Sequence, residues 1–338
     1  MGNLFKYGIT CAFNDVPEVW PITLRGSIEE VCEKAARIGY DALEPQICDP
    51  QIYDAKLLKK TAEDFGLKYA AIATGRELLE HGLHMTSDDP ALRRASIDKL
   101  KLHIDLCREL GAILIVGSMR KHVPDMFSFE KYLEYHDEVV YELSDYAKQQ
   151  GVEIVIENIT IHISNWMNTI LETANYVRHI NRDNVKIHLD SYSMLQEDND
   201  IAGCYRQCGD KLGYVHFTDG SRLYPGGSNV DFKAHMHGML DVGYNGYVAI
   251  ECRPYPDAYT CAKFSYEYCK AMETIVKIER YRRERPLILM FRNFGLFGGK
   301  IFGLRRTALF VMLKKAYLRR NGSERNGSDT ANGKTVHA

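Results

Sequence analysis

Several hallmarks of common protein classes are missing from this 338-residue sequence. No stretch approaches the roughly 18 consecutive apolar residues that a membrane-spanning helix needs. The segment from Met1 to Cys11 lacks the cationic start and apolar core of a secretory signal. We therefore expect a cytoplasmic protein.

The nine cysteines include no pair at Cys-x-x-Cys spacing. They are odd in number and are scattered from Cys11 to Cys269. Neither a disulfide framework nor a zinc knuckle is expected from such a pattern.

The formal net charge of -2 hides an uneven distribution along the chain. Residues 280–338 contain 14 Lys and Arg against three acids, a balance of +11, which leaves -13 for residues 1–279. Phosphate contacts need clustered Lys and Arg, so the acidic body argues against a nucleic-acid partner.

Short apolar runs alternate with longer amphipathic runs over the first 280 residues. The apolar runs are YGITCAF, YDALEP, LKYAAIAT, AILIVGS, VEIVIEN, NVKIHLD, LGYVHFTD and GYVAIEC. Near-continuous apolar strands, each followed by a helix, are typical of a parallel sheet buried on both faces. We predict an α/β fold, a (β/α)8 TIM barrel with a basic C-terminal extension, in which residues 1–280 are the catalytic domain. An open doubly wound sheet is the rival, but no glycine-rich dinucleotide loop follows the first strand.

Four consecutive strands of the second half end in metal-binding residue types, namely Glu157, Asp190, His216 and Glu251. In a barrel of this kind the carboxyl ends of the strands converge on the active site. Three carboxylates placed together repel each other unless protons or a cation hold them. Each residue alone would more often be a helix cap or a packed core histidine. The repetition over four strands favours a divalent-metal site with oxygen-rich ligands.

The same motifs resemble the sugar phosphate isomerase/epimerase superfamily with the xylose-isomerase-like barrel. The resemblance covers about residues 5–280 and rests on IVIEN, KIHLD, YVHFTDGSR and GYNGYVAIE. It implies that Glu157, Asp190, His216 and Glu251 hold one divalent ion, usually Mn, with Mg, Co and Zn as alternatives. It also implies that the two glutamates act as acid and base and that Arg222 binds substrate oxygens.

Two positions depart from the ketose 3-epimerases of this superfamily. Ser193 stands where those enzymes carry a substrate-binding histidine, and Ile163, beside His162, replaces an acid. Further candidates for sugar contact are His162, Glu44 at the end of the second strand, and the aromatic Phe13. His188 is expected to pack in the barrel interior.

The chemistry that fits is removal of a proton next to a carbonyl of a ketose, keto-sugar or sugar derivative, with a metal-stabilised enolate. This predicts a sugar isomerase or epimerase. An alternative is a lyase that cleaves 3-keto C-glycosides by elimination, because the catalytic subunits of bacterial C-glycoside deglycosidases resemble this family. A non-catalytic binding barrel is the remote alternative, and a DNA-cleaving relative is disfavoured by the acidic body.

The chain after the barrel changes character. Residues 281–320 mix large apolar residues with cations and predict a basic helical extension, whereas residues 321–338 form a polar tail predicted to be disordered. The charge contrast favours packing of the extension on the acidic barrel or on a partner subunit over a peripheral membrane contact. We expect a small sugar or glycoside as substrate, and a homo-oligomer or a complex with a small partner subunit.

Overall fold

The computed structural model describes residues 3–284. Its strands are β1 (Lys6–Ala12), β2 (Leu24–Arg25), β3 (Ala42–Pro45), β4 (Lys68–Tyr69), β5 (Ala71–Ala73), β6 (Ile113–Val116), β7 (Ile154–Glu157), β8 (Val185–Asp190), β9 (Leu212–Phe217) and β10 (Tyr247–Ile250). Its helices are α1 (Ile28–Ile38), α2 (Ala55–Asp64), α3 (Gly75–His81), α4 (Pro90–Leu110), α5 (Phe129–Gln150), α6 (Ile170–Ile180), α7 (Ser191–Glu197), α8 (Ile201–Cys208), α9 (Phe232–Asp241) and α10 (Ala258–Glu284).

The strands form one parallel sheet in the order β4-β3-β1-β10-β9-β8-β7-β6-β5. Strands β4 and β5 are two parts of one strand, separated by Ala70. The Ala70 N–H donates to the carbonyl of Leu43 at 2.8 Å, and the Ala70 carbonyl accepts from the N–H of Ile113 at 3.3 Å. The sheet therefore closes between β3 and β6, and the predicted TIM barrel is confirmed. Strand β2 is an addition that pairs with the end of β1.

Helix α4 shows how the sequence sets the position of an element against the barrel. Asp89 caps its start by accepting a hydrogen bond from the N–H of Ala91 at 2.8 Å, and Pro90 occupies the first turn. The sequence places Ile97, Leu100, Ile104, Cys107 and Leu110 on one apolar stripe, and the structure buries this stripe in the core along its whole length. Burial of such side chains contributes about 1.5–3 kcal/mol each for the larger aliphatics.

Some local elements differ from the sequence prediction. Helix α3 is not anticipated, because it has only seven residues and no side-chain cap at Thr74. The sequence predicts one weak helix near residues 198–207, whereas the structure has α8 from Ile201, after an Asp200 cap, and a separate short helix, α7, before it. Both differences lie in the connections that follow strands, where hydrophobic periodicity is too short to read.

Residues 281–284 end helix α10, and the rest of the predicted extension (281–320) and the polar tail (321–338) lie outside the described residues. No helix of the described part is long and apolar enough to cross a membrane.

Candidate active site

Four polar side chains meet at the carboxyl ends of four neighbouring strands. Glu157 is the last residue of β7 and Asp190 the last of β8, whereas His216 is the last but one of β9 and Glu251 follows β10 directly. Asp190 and His216 stand opposite each other in the strand register. All four line one cavity of about 230 Å³, a size that suits a small molecule rather than a macromolecule.

The loop after β6 leaves room for one of these carboxylates. A Cβ atom added at Gly117 would come within 2.1 Å of Glu157 Oε2. Because this position has no side chain, the Glu157 carboxylate can extend into the cavity beside the backbone of the loop.

Arg222 is the cation that faces the carboxylates. Its Nη1 lies 2.6 Å from Glu251 Oε2 and 3.4 Å from Asp190 Oδ2, and the guanidinium lies 4.1 Å from the centre of the Tyr192 ring. A planar guanidinium held between an aromatic face and two carboxylates is well placed to bind oxygens. Arg222, which the sequence assigns to substrate binding, therefore lies in the same cavity as the four predicted ligands.

The two glutamates have different proton affinities. Burial, together with the charge of Glu251, raises the pKa of Glu157 well above its ordinary value. Burial acts in the same direction on Glu251, but Arg222 and His216 outweigh it and lower the pKa of Glu251. Two carboxyl groups with separated proton affinities in one cavity suit acid and base chemistry.

His216 is held from behind by a buried carboxylate. Its Nε2 donates to Glu44 Oε2 at 2.8 Å, and the hydroxyl of Tyr214 donates to the same oxygen at 2.8 Å. The other ring nitrogen, Nδ1, has no hydrogen-bond partner and lies 3.7 Å from Glu251 Oε2. Burial by itself lowers the pKa of His216, but Glu44 and Glu251 outweigh it and raise this pKa well above its ordinary value.

These residues fit a divalent cation. Glu157, Asp190 and Glu251 offer carboxylate oxygens, and the orphaned Nδ1 of His216 faces them from the fourth strand. A carboxylate that accepts the other ring N–H, as Glu44 does, is the common support of a metal-binding histidine. Oxygen-rich ligands with one nitrogen suit Mn²⁺ or Mg²⁺ better than a structural zinc site.

The structure gives Glu44, a predicted sugar contact, protein partners for its carboxylate. Its side chain is fully buried, and its carboxylate is used by His216 and Tyr214. Glu44 does not belong to the described residues that line the cavity. In this arrangement its carboxylate accepts from His216, a predicted ligand, and its contact with sugar stays a prediction.

His188, which is expected to pack in the barrel interior, lies next to two of the predicted metal ligands, Glu157 and His216. The side chain is fully buried, neither ring nitrogen has a partner, and Nδ1 lies 4.0 Å from Glu157 Oε1. Its ring stacks edge-on against His216 with centres 4.1 Å apart. Glu157, His188 and His216 together offer ligand atoms within 4.8 Å of one another. The signal in the sequence is its position two residues before Asp190, which points both side chains into the barrel.

The remaining substrate candidates separate into two groups. Ser193 lines the cavity, and its Oγ lies 3.4 Å from Asp190 Oδ2. Phe13 instead packs edge-on against Tyr53, with ring centres 6.0 Å apart, as part of the apolar surround of the core. Phe13 is not one of the described cavity-lining residues, and its sugar contact stays a prediction.

His162, another predicted sugar contact, lies away from the described cavity lining. It is exposed in a turn in which the N–H of Ile163 donates to the carbonyl of Thr160 at 2.9 Å. This turn directs Ile163 into the cavity and leaves His162 outside the described lining. The cavity is also lined by Trp20 and Ile22 from the loop after β1 and by Arg76 and Leu79 from α3. No sequence motif marks these residues.

Asp219 organises the loop that carries Arg222. Its Oδ2 accepts from the backbone N–H groups of Gly226, Gly227 and Ser228 at 2.8, 2.7 and 2.9 Å. The Asp219 carbonyl accepts from the N–H of Arg222 at 2.8 Å, and Arg222 has a left-handed backbone with φ of 60°. A non-glycine residue in that conformation costs free energy, so the surrounding hydrogen bonds must hold it.

Comparison with known proteins assigns the chain to a family. The family described as xylose isomerase-like TIM barrel matches residues 32–266. The chain belongs to this family, and the membership predicted from the strand-end motifs is confirmed.

Individual relatives agree with that assignment. The chain is 32% identical over 221 residues to an L-ribulose 3-epimerase of Methylomonas sp. (strain DH-1), covering 64% of this chain and 75% of the relative. It is 28% identical over 223 residues to a ketose 3-epimerase of Arthrobacter globiformis, covering 65% and 75%. The crystal structure of a D-allulose 3-epimerase from Methylomonas sp. in complex with D-allulose superimposes with a TM-score of 0.68 at 26% identity, covering 80% of this chain and 98% of that chain.

Proposed function

We propose that this chain is a divalent-metal-dependent sugar isomerase or epimerase that removes a proton from a carbon next to a carbonyl of a ketose, keto-sugar or sugar derivative. The observation that carries the proposal is the convergence of Glu157, Asp190, His216 and Glu251 on one cavity. The epimerase relatives support the same class of reaction.

The four strand-end residues would hold the ion, and Mn²⁺ is the ion that we expect, with Mg²⁺, Co²⁺ and Zn²⁺ as alternatives. A bound cation of this kind polarises a substrate carbonyl and a neighbouring hydroxyl, so that a proton on the adjacent carbon becomes more acidic. Glu44 would keep the Nε2–H of His216 engaged, so that Nδ1 stays available towards the cavity.

Proton transfer falls to the two glutamates. One of Glu157 and Glu251 removes the proton, and the other returns a proton to the opposite face or to the adjacent carbon. Both side chains line the cavity, and neither role requires a residue from outside it. Return to the opposite face gives an epimer, and return to the adjacent carbon gives an isomer.

Arg222 and Ser193 would orient the sugar. Arg222 already donates to carboxylate oxygens in the cavity, and its guanidinium offers several further N–H groups. Ser193 offers one short hydroxyl next to Asp190. Apolar side chains such as Ile163 and Leu79 line the same cavity and would exclude water from the reacting carbon.

The lyase that acts on 3-keto C-glycosides stays a second candidate because of Ser193. A short side chain at a lining position leaves space for a substituent on the sugar, and elimination would start with the same proton removal. Cytoplasmic location and association with a second copy or with a small partner chain also belong to the proposal.

Proton exchange with solvent tests the proposed function. The purified protein with Mn²⁺ is incubated in deuterated water with free ketoses, ketose phosphates and 3-keto glycosides, and NMR locates the exchanged carbon. We expect deuterium at a carbon next to the carbonyl, with loss of exchange in Glu157→Gln. An epimer or isomer as product supports the first function, and release of the aglycone supports the lyase. Absence of exchange with every class, in protein that holds its metal, would refute the proposal.

A further inference from the structure

A second group of potential ligands lies outside the barrel mouth. It consists of Cys48 in the loop after β3, Glu77 and His81 one turn apart on α3, and His103 on α4. Cys48, Glu77 and His81 offer one sulfur, one oxygen and one nitrogen within 4.8 Å of one another. None of the three is used by the proposed reaction.

The carboxylate of Glu77 lies between two imidazoles. Its Oε2 is 2.8 Å from His81 Nδ1, and its Oε1 is 2.7 Å from His103 Nε2. Glu77 and His103 are fully buried, whereas His81 is 43% exposed and opens the group to solvent. A carboxylate that binds a metal is usually hydrogen-bonded in turn by another side chain, as Glu77 is by His103.

The sulfur of Cys48 completes the group. It lies 3.7 Å from His81 Nδ1 and 3.9 Å from the carbonyl oxygen of Arg76. Bond lengths of about 2.3 Å to sulfur and 2.0–2.1 Å to nitrogen place these two ligand atoms about 3.6 Å apart in a tetrahedral zinc site. The 3.7 Å between Cys48 Sγ and His81 Nδ1 is close to that separation. Because the sulfur also lies 3.9 Å from His81 Nε2, the ring would have to turn to direct Nδ1 at a shared ion. The Glu77–His81 hydrogen bond would open by about half an ångström.

Two other readings account for less of the group. A His–Glu–His network that ties α3 to α4 explains His81, Glu77 and His103, and leaves Cys48 to contacts with the Arg76 carbonyl and the Glu80 carboxylate. A nucleophile and a metal ligand both need the thiolate, and burial, with Glu77 and Glu80, raises the pKa of Cys48 to about 12. A bound cation would itself supply the charge that deprotonates the thiol, whereas a nucleophilic cysteine would need another source of that charge. A cation would bind the thiol, the imidazole and the carboxylate together.

We propose that Cys48, Glu77 and His81 form a second metal site, distinct from the barrel mouth, that binds Zn²⁺. Sulfur and nitrogen ligands favour zinc over the harder cations that suit the barrel mouth. Binding forms one bond each from sulfur, nitrogen and oxygen to zinc; the thiol proton passes to water, and the ring proton of His81 moves from Nδ1 to Nε2, so that Nδ1 can bind the ion. A water molecule takes the fourth position on the exposed side of His81.

The site would act on the wall of the cavity. It joins the loop after β3 to α3 directly and joins α4 through His103. Helix α3 contributes Gly75, Arg76, Leu78 and Leu79 to the cavity lining. Zinc at this position would hold that wall in place without touching the substrate, so the inference does not depend on the proposed function.

Cobalt titration of the full chain, after removal of bound metals by a chelator, tests the site. Co²⁺ bonded to a thiolate gives a charge-transfer band in the near ultraviolet, and the barrel-mouth ligands include no sulfur. We expect two equivalents of Co²⁺ per chain, one of which brings the band. Cys48→Ser and, separately, His81→Ala should lose the band and one equivalent but keep the other.

Two variants serve as controls. Cys107→Ser makes the same change at another buried thiol that also faces a backbone carbonyl, that of Ile113 at 3.4 Å, and it should keep the band. Glu157→Gln, which weakens the barrel-mouth site, should also keep the band. A band that survives in Cys48→Ser, a band that disappears in Glu157→Gln, or a wild-type chain that fills its barrel-mouth site without any band would each overturn the proposal. Circular dichroism verifies that each variant is folded.

Discussion

Replacement of Glu44 by glutamine tests whether a buried carboxylate fixes the imidazole of His216. Glutamine keeps the size of the side chain and one acceptor oxygen but loses the charge. Hydrogen bonds to charged groups contribute about 1.5–3 kcal/mol, against about 0.5–1.5 kcal/mol for neutral pairs, so the loss is about 1–2 kcal/mol. If this loss of hydrogen-bond energy affects the metal-bound state alone, the Mn²⁺ affinity should drop roughly five- to thirtyfold. Effects of tenfold or more are known for such supporting residues.

The matched control is Tyr214→Phe. It removes the second hydrogen bond to Glu44, which is 2.8 Å long, and leaves the carboxylate charged next to His216. We expect Tyr214→Phe to weaken Mn²⁺ binding less than Glu44→Gln does. The free Mn²⁺ signal in electron paramagnetic resonance gives both affinities at neutral pH.

The competing view is that Glu44 touches the sugar. In that case Glu44→Gln would bind Mn²⁺ as tightly as the wild type and would raise KM for the substrate. That outcome would refute the role argued from the His216 contact, and it would also mean that the buried carboxylate becomes accessible during turnover.

Three further predictions concern residues of the same cavity. Glu157→Gln or Glu251→Gln should keep the fold but lose turnover and most of the metal affinity, as measured by circular dichroism, kinetics and metal analysis; full activity with bound metal would contradict the ligand assignment. Asp219→Asn should raise KM about tenfold, because a hydrogen bond to a charged acceptor is worth about 1.5 kcal/mol or more, and should leave Mn²⁺ affinity unchanged; a loss of metal would show that the loop does more than position Arg222. Ser193→His should raise epimerisation of free hexuloses about ten- to hundredfold, from a contact worth about 1.5–3 kcal/mol, and should exclude larger substrates; efficient turnover of free fructose by the wild type would contradict this view of the pocket.

The barrel can be predicted from the sequence because its two patterns, the apolar strands and the amphipathic helices, repeat along most of the chain. Eight apolar runs separated by amphipathic helices allow few arrangements, and a stripe such as that of α4 fixes which face is buried. Helix α3 is not predicted from the sequence because it is short and lies in a connection between strands. Its absence from the prediction also hides the Cys48, Glu77 and His81 group, since only the fold brings the loop after β3 against that helix.

The predicted ligands at the barrel mouth follow from the rule that active-site residues lie at the carboxyl ends of the strands. The same rule does not say how deeply each side chain is buried. Residues two apart on a strand both point into the barrel, as His188 and Asp190 do on β8. Alternation therefore identifies the set of inward side chains without saying which of them reach the cavity. Glu44 shows the consequence, because it looks like a terminal carboxylate in the sequence and yet is covered by His216 in the fold.

Depth is decided by contacts between strands that are distant in the chain. Glu44 is separated from His216 by 172 positions, and their hydrogen bond exists only because the closed barrel brings the two strands across from each other. The same closure leaves His188 with two unpartnered nitrogens beside Glu157. A buried imidazole without a partner is costly, so its persistence next to the ligands argues that it belongs to their support. We therefore expect a metal centre with two layers: the predicted ligands at the strand ends, and beneath them Glu44, Tyr214 and His188, which would set how the ligands present their atoms.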